Sequence, residues 1–401
     1  MELLKWELRK IWQGGILAAI ALLGALYYFL FPSFYIKYFC NGPASQAQFD
    51  LSAAWVERFG PTIEQSELPQ IRAQLAEEIA LFGTRAAAIP AAVEAGLTGY
   101  DAFLSFQNAY YEAVRVGNGQ ADMDTERLNY LIMENTNYYT ITALEEFLQS
   151  YDGRAEPSRQ DLLDIGYTDV MIRRLSALAQ PDLRSGYLPS GMMDSTNEYA
   201  KGLAVWAVLS TVLLLSPTLV RDQLRRTRAM QWTSRRGRRI LTAQMGAAGL
   251  SALALWAVSM TLYALPFLSK GPLVFRDCRL YSLWDGSAPW FNWTYGTYLL
   301  ALMGLIFAIS LTTAALTVFL SQYSANYVSM LLKSLPLFVV LGPLSAAWML
   351  DRAFFFRPLW PKAQGCAWVF AGGEAVLAAL LLSLGLGLCL LSCVRQRQRP
   401  L

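Results

Sequence analysis

Six long apolar runs decide what this chain can fold into. They cover residues 14–36, 202–220, 243–268, 296–320, 326–350 and 365–393. Each is close to or above the ~20 residues an α-helix needs to cross a hydrocarbon core. In lipid every backbone N–H and C=O must be paired within the chain, so such runs span as helices. Of all residues 55% are hydrophobic and 16% charged, whereas soluble domains carry about a quarter charged residues. The reading is an all-α integral membrane protein with six transmembrane helices.

Orientation follows from one stretch, Arg221–Arg239, which carries eight arginines and a single carboxylate, Asp222. Short Lys/Arg-rich loops resist translocation, so this loop belongs in the cytoplasm, and the other segments alternate from it. Both termini are then inside. The inner segments bear +1 over Met1–Trp12, +7 over the loop and +3 over the tail Arg395–Arg399. The outer loops 269–295 and 351–364 hold Trp290, Trp293, Tyr295, Trp360 and Phe354–Phe356, residue types that favour the membrane–water interface.

Between the first and second spans, Lys37–Glu198 holds 23 carboxylates against 11 cations, a net of −12. Helical spacing recurs in Leu68-Ile71-Leu75-Ile79-Phe82, Tyr100-Phe103-Phe106-Tyr110, Leu128-Leu131-Ile132 and Ile141-Leu144-Phe147-Leu148. Gly42-Pro43, Gly60-Pro61, Gly117-Asn118-Gly119 and Asp152-Gly153 punctuate it. Five to seven helices are expected, and Asp161-Leu-Leu-Asp-Ile-Gly-Tyr-Thr-Asp169 looks like a short helix with a glycine stop. Residues 37–200 therefore read as a large helical extracytoplasmic domain, long enough to bury its own core. Residues 201–401 form a five-helix membrane domain with the cytoplasmic loop 221–239. Residues 1–13 read as an amphipathic cytoplasmic helix, Leu4, Leu8, Ile11 and Trp12 on one face. That face could enter lipid, or the segment could simply lead into the first span, residues 14–36. No small-residue cleavage site follows that span, so it reads as an uncleaved anchor.

The chain has no histidine, which excludes Ser-His-Asp or Cys-His catalysis and His-ligated zinc. It has no Gly-rich phosphate loop of the GxxxxGK[ST] kind. Cys389 and Cys393, one helical turn apart, suit packing better than a metal. A bridge between Cys40 and Cys278 is chemically allowed outside, and sequence does not decide it. Two charges fall inside spans, Lys333 ~12 Å from the inner end and Glu374 ~13 Å from the outer end of their helices. Intramembrane charges are functional candidates. Lys333 can also snorkel inward, and Glu374 can line a cavity or face the outer interface.

The basic loop is either a topology anchor on anionic headgroups or a docking elbow. Arg221–Trp232 can be helical, and Thr233-Ser234 can cap a further helix. The amphipathic start Met-Glu-Leu-Leu-Lys-Trp-Glu-Leu-Arg-Lys, one span, a large outer domain and five more spans together resemble a permease subunit of the type-2 (ABC-2) ATP-binding-cassette exporter family. The most specific piece is Trp232-Thr-Ser-Arg-Arg-Gly-Arg-Arg239, similar to the family's Thr-Ser/Pro-x-x-Gly-Arg segment. The resemblance covers the membrane part and leaves the outer domain unmatched. It implies a coupling helix over Arg221–Trp232, with Asp222, Leu224, Arg225, Arg226 and Arg228 at the ATPase docking surface, and a turn at Thr233, Ser234, Gly237 and Arg238. It also implies a bacterial plasma membrane, an ATPase partner that holds the ATP-Mg, and a second permease copy or paralogue. No nucleic acid, metal, cofactor or catalytic residue is expected on this chain.

Two rivals remain open from the sequence. One is a membrane-anchored sensor or adaptor whose outer domain binds a ligand. The other is a lipid-processing enzyme built on Asp277, Arg279, Asp285, Asp351 and Arg352.

Overall fold

The computed structural model describes residues 2–116, 122–152, 159–164, 167–178, 187–224, 240–283, 287–356 and 371–398. Among these the regular structure is helical, with isolated β-bridges only at Leu188–Leu283, Arg279–Thr294 and Pro289–Phe355. Five helices or helix pairs are long and apolar enough to cross a membrane. Leucines such as Leu262, Leu300, Leu331, Leu335, Leu380 and Leu390 lie exposed along them. An exterior this apolar is costly in water and at home in hydrocarbon. This is a multi-pass membrane protein.

The N-terminal helix α1 (Glu2–Ile11) turns by 50° into α2 (Gly14–Leu30). The pair together passes as a sixth spanning element. The run expected over 14–36 is not one helix. Phe31 leaves helical geometry at φ −125° and ψ −69°, and Pro32 starts the short α3 (Pro32–Lys37). Proline disfavours helix at the residue before it and cannot donate the next backbone bond.

Eight helices follow: α4 (Pro43–Phe59), α5 (Leu68–Ala86), α6 (Pro90–Glu94), α7 (Tyr100–Val116), α8 (Met123–Asn135), α9 (Tyr138–Asp152), α10 (Arg159–Asp164) and α11 (Asp169–Leu178). The first six build two adjoining cores. One gathers Trp55, Ile71, Leu144, Phe147 and Tyr187, the other Phe82, Tyr100, Phe103, Ile132 and Ile141. Leu75 of α5 touches both. The expected stripes hold, except that Leu131 turns outward. Gly42 and Gly60, at φ +116° and +93°, make the turns at either end of α4, a conformation that costs glycine little.

The bundle proper consists of α12 (Ser190–Leu224), α13 (Ile240–Leu268), α14 (Tyr295–Ser321), α15 (Tyr327–Val339), α16 (Ser345–Met349) and α17 (Gly373–Gln398). A π-helical turn, Val340–Leu344, joins α15 to α16 around Pro343. Proline has no N–H to give the preceding turn, and a π-turn absorbs that loss. Small residues set the closest approaches. A Cβ on Gly24 would fall 2.9 Å from Trp206, and one on Gly385 3.2 Å from the Ala315 methyl, the kind of close packing that holds helices together in lipid. Tyr263 donates to the Gly24 carbonyl at 2.8 Å and Tyr27 to that of Gly202 at 2.8 Å. Cys389 and Cys393 are buried between helices, Cys389 donating to Ala315 O at 3.0 Å and Cys393 lying 3.6 Å from Met245 Sδ. Cys40 and Cys278 are buried free thiols.

Candidate functional site

Polar side chains concentrate at the two ends of the bundle. The first end carries the basic loop. There α1 does not expose its apolar stripe. Leu4 packs beside Gly246, and Trp12 Nε1 donates to Ser251 Oγ at 3.0 Å, in the second and fourth turns of α13. Glu7 is buried on the same face, at 4% exposure, and takes an ion pair from Lys10 at 2.8 Å. Lys5, Trp6 and Arg9 point outward. The lipid-facing reading of Leu4, Leu8 and Ile11 is thus corrected, because α13 covers that stripe. Beside it, Arg221 Nη1 donates to Gln13 Oε1 at 3.1 Å. The segment linking α1 to α2 is therefore tied to the last turn of α12 and to α13, the two helices that bracket the basic loop.

Of the expected docking residues, Arg221, Asp222 and Leu224 lie in the last turn of α12. Arg225, Arg226, Arg228, Trp232, Thr233, Ser234, Gly237 and Arg238 fall outside the described residues. Lys333 belongs to this same end. It lies in the second turn of α15, and its Nζ donates back to the Tyr323 carbonyl of the 321–326 turn. Its ammonium thus reaches back to the turn that precedes α15.

The second end carries the domain. Lys201 on α12 is paired with Glu198 and, at 2.9 Å, with Asp351. Arg352 donates to Asp194 at 2.8 Å and also to Ser287. The strip 351–356 is thereby clipped to the start of α12. Its backbone crosses to the 288–290 loop through Trp290 N to Phe354 O at 2.7 Å and Phe356 N to Ala288 O at 2.8 Å. Arg352 and Phe354 hold positive φ, +46° and +65°. Such geometry costs of order 1–3 kcal/mol each and persists where the surroundings impose it. Trp290 and Phe356 then pack with Met171, Ile172 and Leu175 of α11, and Arg174 Nε donates to the Trp290 carbonyl at 2.8 Å.

Glu374 is part of this second end. It lies in the first turn of α17, 1% exposed, and its Oε1 accepts from Phe354 N at 3.1 Å. The expectation of a carboxylate nine residues deep in the span is corrected: α17 begins at Gly373, and a carboxylate in a first turn suits the positive helix end. Lys333 and Glu374 are at opposite ends of the bundle and form no pair. The polar residues considered for an enzyme do not converge either. Asp351 and Arg352 serve the clip, Asp277 pairs with Arg276 at 3.0 Å, and Arg279 donates to Asn292 O at 3.4 Å. Asp285 lies outside the described residues. No group of three metal-ligating side chains occurs among the described residues.

Sequence reasoning missed the clip at Asp194, Lys201 and Ser287. Its only sequence signal is a run of polar residues, Asp194 to Lys201, at the head of an apolar helix. No family model, curated protein or solved structure matches this chain.

Proposed function

We propose that the chain is the membrane-spanning permease subunit of an ATP-binding-cassette exporter of the type-2 kind. In this reading it crosses the plasma membrane of a bacterium six times, with both termini inside and α4–α11 outside. A separate ATPase subunit binds ATP-Mg and docks on the basic loop, and a second permease copy or paralogue completes the pathway. Cargo would move by alternating access, with no bond-making chemistry on this chain.

The observation that carries the reading is the unbroken α12. One 35-residue helix runs from the domain-end clip to Arg221 at the mouth of the loop. At its loop end it is tied to Gln13, while α1 is packed on α13. A push on the loop therefore reaches the first three spanning elements together, which is what a subunit driven from the cytoplasm requires.

The test is recovery of the detergent-solubilised protein from its native host, with Arg225, Arg226 and Arg228 intact or all changed to Glu. A P-loop ATPase should co-purify with the intact protein and be lost from the charge-reversed one. A folded, membrane-inserted protein that brings down no ATPase in either form would overturn the proposal and leave the sensor reading in its place.

A further inference from the structure

A cavity of about 230 Å³ opens between α12, α13 and α14 near the domain end. Its wall runs along α14 from Gly296 to Ile306. Ten residues of helix measure ~15 Å, half of a ~30 Å hydrocarbon core and so the depth of one leaflet. Leu203, Met260, Ala264, Phe267, Leu299 and Met303 make the wall apolar. Its two polar side chains are already engaged: Thr196 shares a 2.8 Å bond with Tyr295, and Tyr199 donates to the Tyr263 carbonyl. Nothing in the wall asks for a polar ligand. Two lip residues, Leu300 at 66% and Leu273 at 45%, are exposed on the bundle exterior, so the crevice opens sideways to lipid. Where α13 ends, the chain turns across the mouth. Lys270 stands exposed two residues beyond Leu268 of the wall, and Arg276, paired with Asp277, follows Leu273.

We propose that this crevice binds one acyl chain of an anionic phospholipid from the outer leaflet, with Lys270 at the phosphate. Length, apolar lining and lateral opening match a single extended chain, and the wall offers a peptide or a glycan no polar partners. A cation beside the interface adds attraction for an anionic headgroup. The leaflet assignment rests on the six-span topology proposed above. It does not depend on the ATPase.

The experiment reconstitutes the purified full chain into liposomes containing phosphatidylglycerol with a diazirine near the end of one acyl chain. After photolysis, insertion sites are mapped by peptide mass spectrometry. Insertion should concentrate on residues 296–306 and 260–268. In Ala264→Trp and Met303→Trp, which fill the crevice from opposite walls, it should fall about tenfold, the mark of a blocked site. Either variant alone suffices if the other fails to fold. Lys270→Glu should lower labelling from the phosphatidylglycerol probe and leave a phosphatidylcholine probe unchanged. Labelling that follows helix exposure all round the bundle and ignores the filled variants would overturn the site in favour of ordinary annular lipid. Ser269→Cys, treated in intact cells with a membrane-impermeant maleimide, should react. Reaction only after permeabilisation would overturn the leaflet and the topology, a failure distinct from that of the crevice itself.

Discussion

Substituting Gly191 by alanine should loosen the joint between α4 and the spanning bundle. Gly191 is the second residue of α12, and a Cβ there would lie 2.5 Å from Ser45 Cβ, 2.7 Å from Ser45 Oγ and 2.8 Å from the Cys40 carbonyl oxygen. Carbon atoms prefer ~3.5–4.0 Å, and a backbone carbonyl and a Cβ cannot rotate aside. Relief therefore requires α4 and α12 to part by about 1 Å, a strain in the usual overpacking range of ~1–3 kcal/mol. Against it stands the better helix propensity of alanine, at most ~1 kcal/mol and less in a first turn. The net expectation is a loss of ~1–2 kcal/mol, or a fall in Tm of roughly 2–8 °C by the scaling for units of 150–250 residues. Gly304→Ala is the internal control. It lies mid-helix in α14 with nothing within 4 Å of its Cβ position, so it should be neutral or gain up to ~1 kcal/mol. Thermal unfolding of the purified protein in one detergent, followed by intrinsic fluorescence, compares the three proteins. If Gly191→Ala melts at or above the temperature of Gly304→Ala, the close approach of α4 to α12 is wrong.

Two further outcomes follow from the same geometry. Lys201→Met leaves Glu198 and Asp351 facing each other without their shared cation. Breaking a buried pair costs ~3–5 kcal/mol, but these carboxylates are half exposed, so solvent screening brings the expected loss to ~1–2 kcal/mol. Adding Asp351→Asn should restore more than half of the lost Tm, and the double variant melting below the single would refute the pairing. Burial pushes the thiols of Cys40 and Cys278 from 9.0 up to about 12, so at pH 8 only about one in 10⁴ is thiolate. Iodoacetamide should spare both until the protein unfolds. Above pH ~9 the unfolded chain loses these two protons and the folded one keeps them, so stability should fall as pH rises toward 12, by about 1.4 kcal/mol per pH unit for each thiol. Cys40→Ser with Cys278→Ser should lessen that decline in a pH series of unfolding midpoints, and the buried phenols of Tyr100 and Tyr187, also pushed up by burial, supply part of what remains above pH ~10.

The helical class and the spanning runs were legible because lipid admits few alternatives for long apolar segments. The third, fourth and fifth spanning elements lie near their expected ranges, and three errors have local causes. Hydropathy starts the second span near 202, but α12 begins at Ser190. Its first turns are polar, and they stay helical because Asp194, Asn197 and Lys201 find partners in Arg352, Tyr298 and Asp351. Those partners are 100 residues or more away in sequence, beyond any local pattern. The first run is broken at Phe31–Pro32, a signal that was present in the proline and outweighed by the apolar residues around it. Glu374 was misplaced in depth because the last run was started at 365. Its role became visible only when the 351–356 strip folded onto it.

The length of α12 gives the two ends a mechanical relation. At 1.5 Å per residue, 35 residues span ~52 Å, against ~30 Å of hydrocarbon. Some 20 Å must therefore project beyond the core, and both charged ends of the helix, Asp194 and Arg221, use that excess. Asp194 and Lys201 hold the 351–356 strip; Arg221 holds Gln13. The intervening turns are packed, with Ala204, Val208, Leu214 and Leu215 buried, so the helix has little room to bend between them. Pro217 is its only interior proline, and it lies one turn from Arg221, where a kink would tilt the loop end and leave the clip in place. Any displacement passing Pro217 must either break the clip or carry the strip with it. The strip holds Arg352 and Phe354 at positive φ, so breaking it releases strain as well as losing two ion pairs. The strip also contacts the 288–290 loop and, through Trp290 and Phe356, α11. In the second branch, a movement at the loop end reaches α11 through these few residues.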